Sequence, residues 1–318
     1  IPRRLVGSEM CIRDRIKRVS EKTSNRILNS VFFGGGTPSL IEPSIIGDVL
    51  NEIQKHWKTK NNFEVTLEAN PGSVDAKNFK AYKEAGVNRT SMGIQSLNTK
   101  DLKALGRTHT VEEALAAFEI ARQNFKAVSF DLIYARQNQN ISQWEKELSL
   151  ALSLEASHMS LYQLTIEQGT AFGDRYNRGL LKGLPNDDTS ADMYDLTLSL
   201  CEDRGLVSYE VSNYAHQGYE SIHNLIYWRY GDYIGIGPGA HGRLTIDGKK
   251  YATETVLSPE AWLKKVECDG SGESNSVELT DQQQAAEFVM MGLRLKEGIN
   301  YQRFKNLSGS AFSKTKLN

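Results

Sequence analysis

Residues 31–40 read V-F-F-G-G-G-T-P-S-L, an apolar run that meets three consecutive glycines and is then closed by Pro38. Val31, Phe32 and Phe33 are β-branched or aromatic and too apolar for a solvated edge, so a buried strand is predicted to end at Gly34. Glycine has no Cβ and reaches conformations closed to other residues, at an entropic cost to folding. A triple glycine at a strand end is therefore either a tight turn or a cradle in which peptide N–H groups approach a ligand. It is neither the phosphate loop, which ends G-K-[ST], nor the G-x-G-x-x-G dinucleotide fingerprint.

From this strand outward, helix-like and strand-like stretches alternate. Ile45, Ile46, Val49, Leu50 and Ile53 recur at helical spacing, and F-E-V-T-L-E-A-N-P (63–71) alternates with period two until Pro71. A short amphipathic helix closed by Gly86 follows, then the strand R-T-S-M-G-I-Q-S (89–96) and a helix with Thr110 as its N-cap. Further strands are predicted at 127–135, 158–167 and 206–215, with helices at 141–155 and 187–205 between them. Such β-then-α repetition implies parallel strands joined by right-handed crossovers. The strands end in polar or glycine-rich clusters: Gly34 to Thr37, Glu68 to Asn70, Gln95–Ser96, Asp131, and Thr165 with Glu167. A doubly wound sheet would gather its ligand chemistry at one switch point, whereas a β/α barrel spreads it over several strand ends. The fold class expected is α/β, a partial (β/α) barrel over residues 16–245. Residues 246–318 then form a polar linker, C-D-G-S-G-E-S-N-S at 268–276, and a small, incomplete helical appendage. Residues 1–15 show no clear periodicity and are expected to be a non-native extension.

The bulk numbers exclude several classes. A net charge of -1 and a sequence pI near 6.7 carry no nucleic-acid footprint. No apolar run approaches the roughly 20 residues of a membrane helix, so membrane contact is expected to be peripheral at most. Cys11, Cys201 and Cys268 are scattered and odd in number, which suits a reducing cytoplasm and supports no disulfide framework.

Each strand-end residue leaves alternatives open. Glu68 can accept hydrogen bonds from ribose hydroxyls or an ammonium group, or orient a loop. Gln95 offers both donor and acceptor. Arg107 can pair with a ligand carboxylate or form a surface salt bridge of small value. Asp131, between Phe130 and Leu132, needs a partner or a ligand for its charge. Together they line one barrel mouth with groups suited to a zwitterionic, sugar-bearing small molecule. In residues 221–244, Tyr227, Trp228, Tyr230 and Tyr233 surround His223 and His241. An imidazole there is either a ligand to iron in a planar macrocycle or a histidine satisfied within an aromatic core. Cys201 sits in a helical apolar pattern and reads as core. No arrangement for covalent catalysis stands out, and no residue is assigned a catalytic role.

The ordered blocks G-G-G-T-P-S-L (34–40), L-E-A-N-P (67–71), G-V-N-R-T-S-M-G-I-Q-S-L-N (86–98), L-G-R-T-H (105–109), F-D-L-I-Y-A (130–135) and Y-I-G-I-G-P-G-A-H-G-R (233–243) resemble those of radical S-adenosylmethionine (SAM) proteins. The branch resembled is that of oxygen-independent coproporphyrinogen III oxidase. The H-N-x-x-Y-W stretch at 223–228 is similar to its heme-chaperone members. This resemblance, from about Val31 to Leu295, implies a partial barrel holding SAM and a [4Fe-4S] cluster. Gly35, Gly36 and Thr37 would meet the methionine amino group. Glu68, Gln95, Arg107 and Asp131 would contact the ribose and amino-acid portion, with Thr165 a further carry-over. His223 becomes a candidate heme contact. The implied function is binding heme and passing it to recipient hemoproteins, such as those of a respiratory chain. The alternative is coproporphyrinogen oxidation, and a barrel-fold binder without redox role is a third. The sequence departs from the family in lacking C-x-x-x-C-x-x-C, which is expected upstream in the intact protein, and in carrying Gln137 where a proline is expected.

Overall fold

The computed structural model describes residues 3–23 and 25–310, with the side chains of residues 3–10 and of Ala171 outside that description. The last residues of the expected C-terminal appendage, 311–318, also lie outside it.

The chain opens with helix α1 (Arg3–Thr23), strand β1 (Ile27–Phe33) and helix α2 (Pro43–His56). It continues with β2 (Lys58–Ala69), α3 (Ala76–Glu84), β3 (Arg89–Gln95), α4 (Thr99–Ala104) and α5 (Val111–Asn124). Then come β4 (Ala127–Tyr134), α6 (Ile141–Leu152), β5 (His158–Gln163), α7 (Ala171–Asn177) and α8 (Asp187–Asp203). The remainder is β6 (Val207–Glu210), β7 (Asn213–Ala215), α9 (Ile222–Trp228), β8 (His241–Ile246) and β9 (Lys249–Thr255). It closes with α10 (Pro259–Asp269), β10 (Glu273–Glu278), α11 (Asp281–Gly292) and α12 (Tyr301–Ser308).

The expected partial barrel is present as a curled, seven-stranded half-barrel sheet in the order β1-β2-β3-β4-β5-β7-β6. Strands β2 to β5 run parallel. The parallel expectation fails at the far edge, where β7 pairs antiparallel with both β5 and β6. Residues 206–215 are thus a tight hairpin and not one strand. Its turn is held by Glu210, whose Oε1 accepts from the Ser212 N–H at 2.9 Å and from the Asn213 side chain.

Two compact units emerge, one of residues 32–41 and 65–220, the other of residues 3–31, 42–64 and 221–310. In the first, central strands are buried on both faces, which is why Val65, Thr66 and Leu67 are all covered. Helix α5 starts at a capping box between Thr110 and Glu113 and buries Ala114, Ala117, Phe118 and Ala121. Phe118 meets Phe130 of β4 edge to face at 5.3 Å, and Trp144 of α6 stacks on Tyr134 at 5.2 Å. In the second unit, α2 buries Ile46, Val49, Leu50 and Ile53, four of the five positions expected from its spacing. A three-stranded sheet, β10-β9-β8, completes that unit.

One expectation changes here. Residues 268–276 are no linker: α10 ends on Gly270 in the left-handed conformation, and β10 follows at once, pairing antiparallel with β9. Residues 3–23 form one continuous helix, with Cys11, Ile16 and Val19 buried and Cys11 against Trp262 and Val266.

Candidate functional site

Strand alternation builds the site. On β3 the residues Ser91, Gly93 and Gln95 are two apart and share a face. Glu68 of β2 lies in register with Ser91. The Ser91 hydroxyl reaches Ser129 Oγ at 3.1 Å and donates to Asp131 Oδ1 at 3.4 Å. The glycine loop after β1 and Arg107 after α4 complete a cavity of about 190 Å³, walled by Gly36, Thr37, Glu68, Gln95, Arg107 and Asp131 among others. Six of the nine residues singled out in the sequence therefore face one space. Gly35 joins them through its N–H, which donates to Glu68 Oε2 at 3.1 Å. Glu68 accordingly fixes the loop with one oxygen while also lining the cavity.

Gly35 and Gly36 adopt φ of +80° and +66°, a region that disfavours side chains. A Cβ on either would meet no protein atom within 4 Å, so the loop leaves open space beside its backbone. Gly34 is different, since a Cβ there would stand 2.6 Å from the Phe32 ring and 3.2 Å from Glu68 Oε2. Gln95 has a φ of +73°, at a register shift between β3 and β4. A non-glycine residue held there is strained, and such strain concentrates at ligand sites.

Burial pushes the Asp131 carboxyl up to about 7; the nearby Glu68 charge adds to the rise, while Ser91 and Arg107 oppose it. Ser160, opposite Asp131 on β5, directs its own proton to Asn213 Oδ1 at 2.7 Å, so we discount it as a donor to Asp131. Glu68 is likewise raised by burial, against the Gly35 N–H that favours its charge. Two carboxylates that resist ionising together are suited to a cationic ligand, which would stabilise both charges. Arg107, Gln95 and the loop amides remain for a ligand carboxylate and hydroxyls.

Thr165 is exposed beyond β5 and lies outside the residues lining this cavity. Ser91 and Gly93 are lining residues that motif reading missed. Their period-two relation to Gln95 was the available signal.

His223 stands in the first turn of α9. Glu64 accepts from the backbone N–H groups of Ile222 at 3.1 Å and His223 at 2.9 Å, and Ser221 Oγ caps the Asn224 N–H at 3.2 Å. The imidazole packs edge-on to Tyr227 at 4.8 Å, and Tyr227 meets Tyr233 at 4.2 Å. Its Nδ1 lies 3.4 Å from Ser30 Oγ. Burial lowers its pKa to about 4, so the ring is neutral at pH 7 and able to ligate a metal. His241 is exposed on β8 and stands 3.9 Å from Glu254.

With this geometry in hand, comparisons give the family. The radical SAM superfamily profile matches residues 12–151, and the HemN C-terminal domain profile matches residues 279–316. The heme chaperone HemW of Haemophilus influenzae is 38% identical over 303 residues, covering 95% of this chain and 76% of that protein. This chain belongs to the HemW-like branch of the radical SAM superfamily. The zebrafish protein named radical S-adenosyl methionine domain-containing protein 1, mitochondrial, is 39% identical over 306 residues, 95% of this chain and 69% of its own length. Of the corresponding mouse protein the chain spans 64%. Escherichia coli coproporphyrinogen III oxidase, HemN, shares the fold, with a TM-score of 0.78 at 17% identity over 98% of this chain and 74% of that one.

The superfamily implies SAM and a [4Fe-4S] cluster. The paired carboxylates and open glycine loop fit the charge and shape of the first. The second has no fit among the described residues, where no group of three metal-ligating side chains occurs. Cys11 and Cys201 are buried and Cys268 is exposed, and burial pushes the Cys201 thiol up to about 12, far from the thiolate a cluster needs.

Proposed function

We propose that this chain is a radical SAM-type heme chaperone, which binds heme and passes it to hemoproteins such as those of a respiratory chain. Gly35, Gly36 and Thr37 receive the methionine amino group of SAM. Glu68 and Gln95 take the ribose, and Arg107 with Asp131 takes the amino-acid portion. Thr165 is retained as a contact only if the segment after β5 closes over the ligand. Glu68, Gln95, Arg107 and Asp131 would hold SAM at this cavity, and SAM would supply the adenosyl group for radical chemistry. The residues at this cavity bind and orient SAM, and the described residues supply no ligand set for the cluster. Residues 16–245 would carry these sites, and residues 246–318 would form an accessory domain. No helix among the described residues is long and apolar enough to cross a membrane. We infer a cytoplasmic protein that meets membranes peripherally at most.

The observation that carries the heme reading is His223: a neutral imidazole beside tyrosine rings, on a helix whose first turn is pinned by Glu64. Heme titration followed at the Soret band tests it. Saturable binding that is lost in His223→Ala is expected. An unchanged spectrum in that variant would remove His223 from the heme site. The likeness to HemN favours a second reading, porphyrinogen oxidation. Saturable binding of coproporphyrinogen III to this chain, with no saturable binding of heme, would select it over the chaperone.

A further inference from the structure

Gln95 sits in its left-handed conformation between two grips on β3 and the turn that follows. On one side the buried His109 places Nε2 3.0 Å from the Ile94 carbonyl, so Nε2 carries the donated proton. On the other, Glu147 of α6 accepts from Ser96 Oγ at 2.6 Å and from the Leu97 N–H at 2.7 Å through the same oxygen. The second Glu147 oxygen pairs with Arg136, and the Arg136 Nη2 also donates to Asp101 Oδ2 of α4 at 2.8 Å. Glu147 and Arg136 side chains are only 9% and 5% exposed, so this pairing is shielded from water. Helix α4 ends on Gly106 at φ +73°, and Arg107 follows directly. Gly93 leaves room for the Gln95 side chain, since a Cβ there would stand 3.0 Å from Gln95 Nε2.

We propose that Glu147, which does not line the cavity, is a positioning residue for the SAM pocket. It holds Gln95 in the strained conformation and, through Arg136 and Asp101, sets α4 and hence Arg107. Strain at one backbone position persists only where the surroundings over-determine it, and Glu147 supplies the hydrogen-bonded side of that constraint. This inference rests on the SAM reading of the cavity.

The test uses the full chain and radiolabelled SAM in equilibrium dialysis, with Glu147→Ala, Glu147→Gln, Gln95→Ala, the Glu147→Ala/Gln95→Ala pair, and Glu68→Ala as control. Circular dichroism and urea unfolding check that each variant is folded. Glu147→Ala should weaken SAM binding at least tenfold, and Glu147→Gln, which keeps one acceptor, should weaken it less. Once Gln95 is alanine, Glu147→Ala should cost less than it does beside Gln95, keeping only the part that runs through Arg136 and Asp101 to Arg107. Equal losses on both backgrounds, or normal binding in Glu147→Ala while Glu68→Ala loses it, would overturn the proposal. If Glu68→Ala binds normally, it is the SAM reading that fails. A crystal structure of Glu147→Ala then decides the positioning role by itself. Gln95 relaxing to negative φ supports it, and Gln95 still left-handed refutes it.

Discussion

Replacing Asp131 by asparagine should stabilise the protein above neutral pH while weakening its hold on SAM. The carboxyl is raised from 3.8 to about 7 by burial, with the neighbouring Glu68 charge adding to the effect. A folded-state value above the unfolded one means that the fold prefers the protonated acid. The ionised form therefore penalises the native state, increasingly as pH climbs from 3.8 toward 7, and fully above it. At ~1.4 kcal/mol per pH unit the penalty reaches ~4 kcal/mol by pH 8, as an order of magnitude. Asparagine has similar shape and accepts from Ser91 without the charge, so most of that penalty should vanish. Urea unfolding of both proteins at pH 4 and pH 8 checks this. Near-equal stabilities are expected at pH 4, with the variant ahead by about 2–4 kcal/mol at pH 8. Dialysis with SAM at pH 8 should nonetheless show weaker binding, because the ligand's positive charge loses a carboxylate. A variant less stable than the parent at pH 8, or a difference that does not move with pH, would refute the burial argument.

Other positions give sharper local tests. Gly36→Ala places a Cβ at φ +66°, costing about 1–2 kcal/mol of stability, and should abolish SAM binding while leaving the Soret titration unchanged. Glu64→Ala removes the acceptor for the Ile222 and His223 N–H groups, so heme affinity should fall with ~1–2 kcal/mol of stability while SAM binding holds. Asp232→Ala strips the buried Lys250 of its 3.1 Å ion-pair partner, leaving it the Tyr230 carbonyl and ring, and should cost about 3 kcal/mol in urea unfolding.

Much of the site was legible because polar residues at the ends of apolar strands have few structural excuses. Asp131 between Phe130 and Leu132, and Glu68 after Thr66 and Leu67, stand out for that reason. Ser91 and Gly93 escaped notice because small residues look like filler until their face is known. The grip of Glu147 and Arg136 on the Gln95 turn was also invisible, since it joins residues far apart in sequence through hydrogen bonds that no periodicity encodes. The reversal at β6–β7 was hidden by a turn built from Glu210 and Ser212 with neither glycine nor proline. Strand β10 was mistaken for a linker because Glu273 to Glu278 is mostly polar and exposed; backbone pairing to β9 defines it, with no apolar face. Helix α1 buries positions 11, 16 and 19 among arginines and lysines, a pattern too sparse to read as amphipathic.

The most direct measurement is a crystal structure of this chain grown with SAM. The expected result is one SAM molecule in the 190 Å³ cavity, its amino group at the Gly35–Thr37 backbone and its ribose against Glu68 and Gln95. Saturating SAM that leaves this cavity to solvent, or that orders on another surface, would contradict the account.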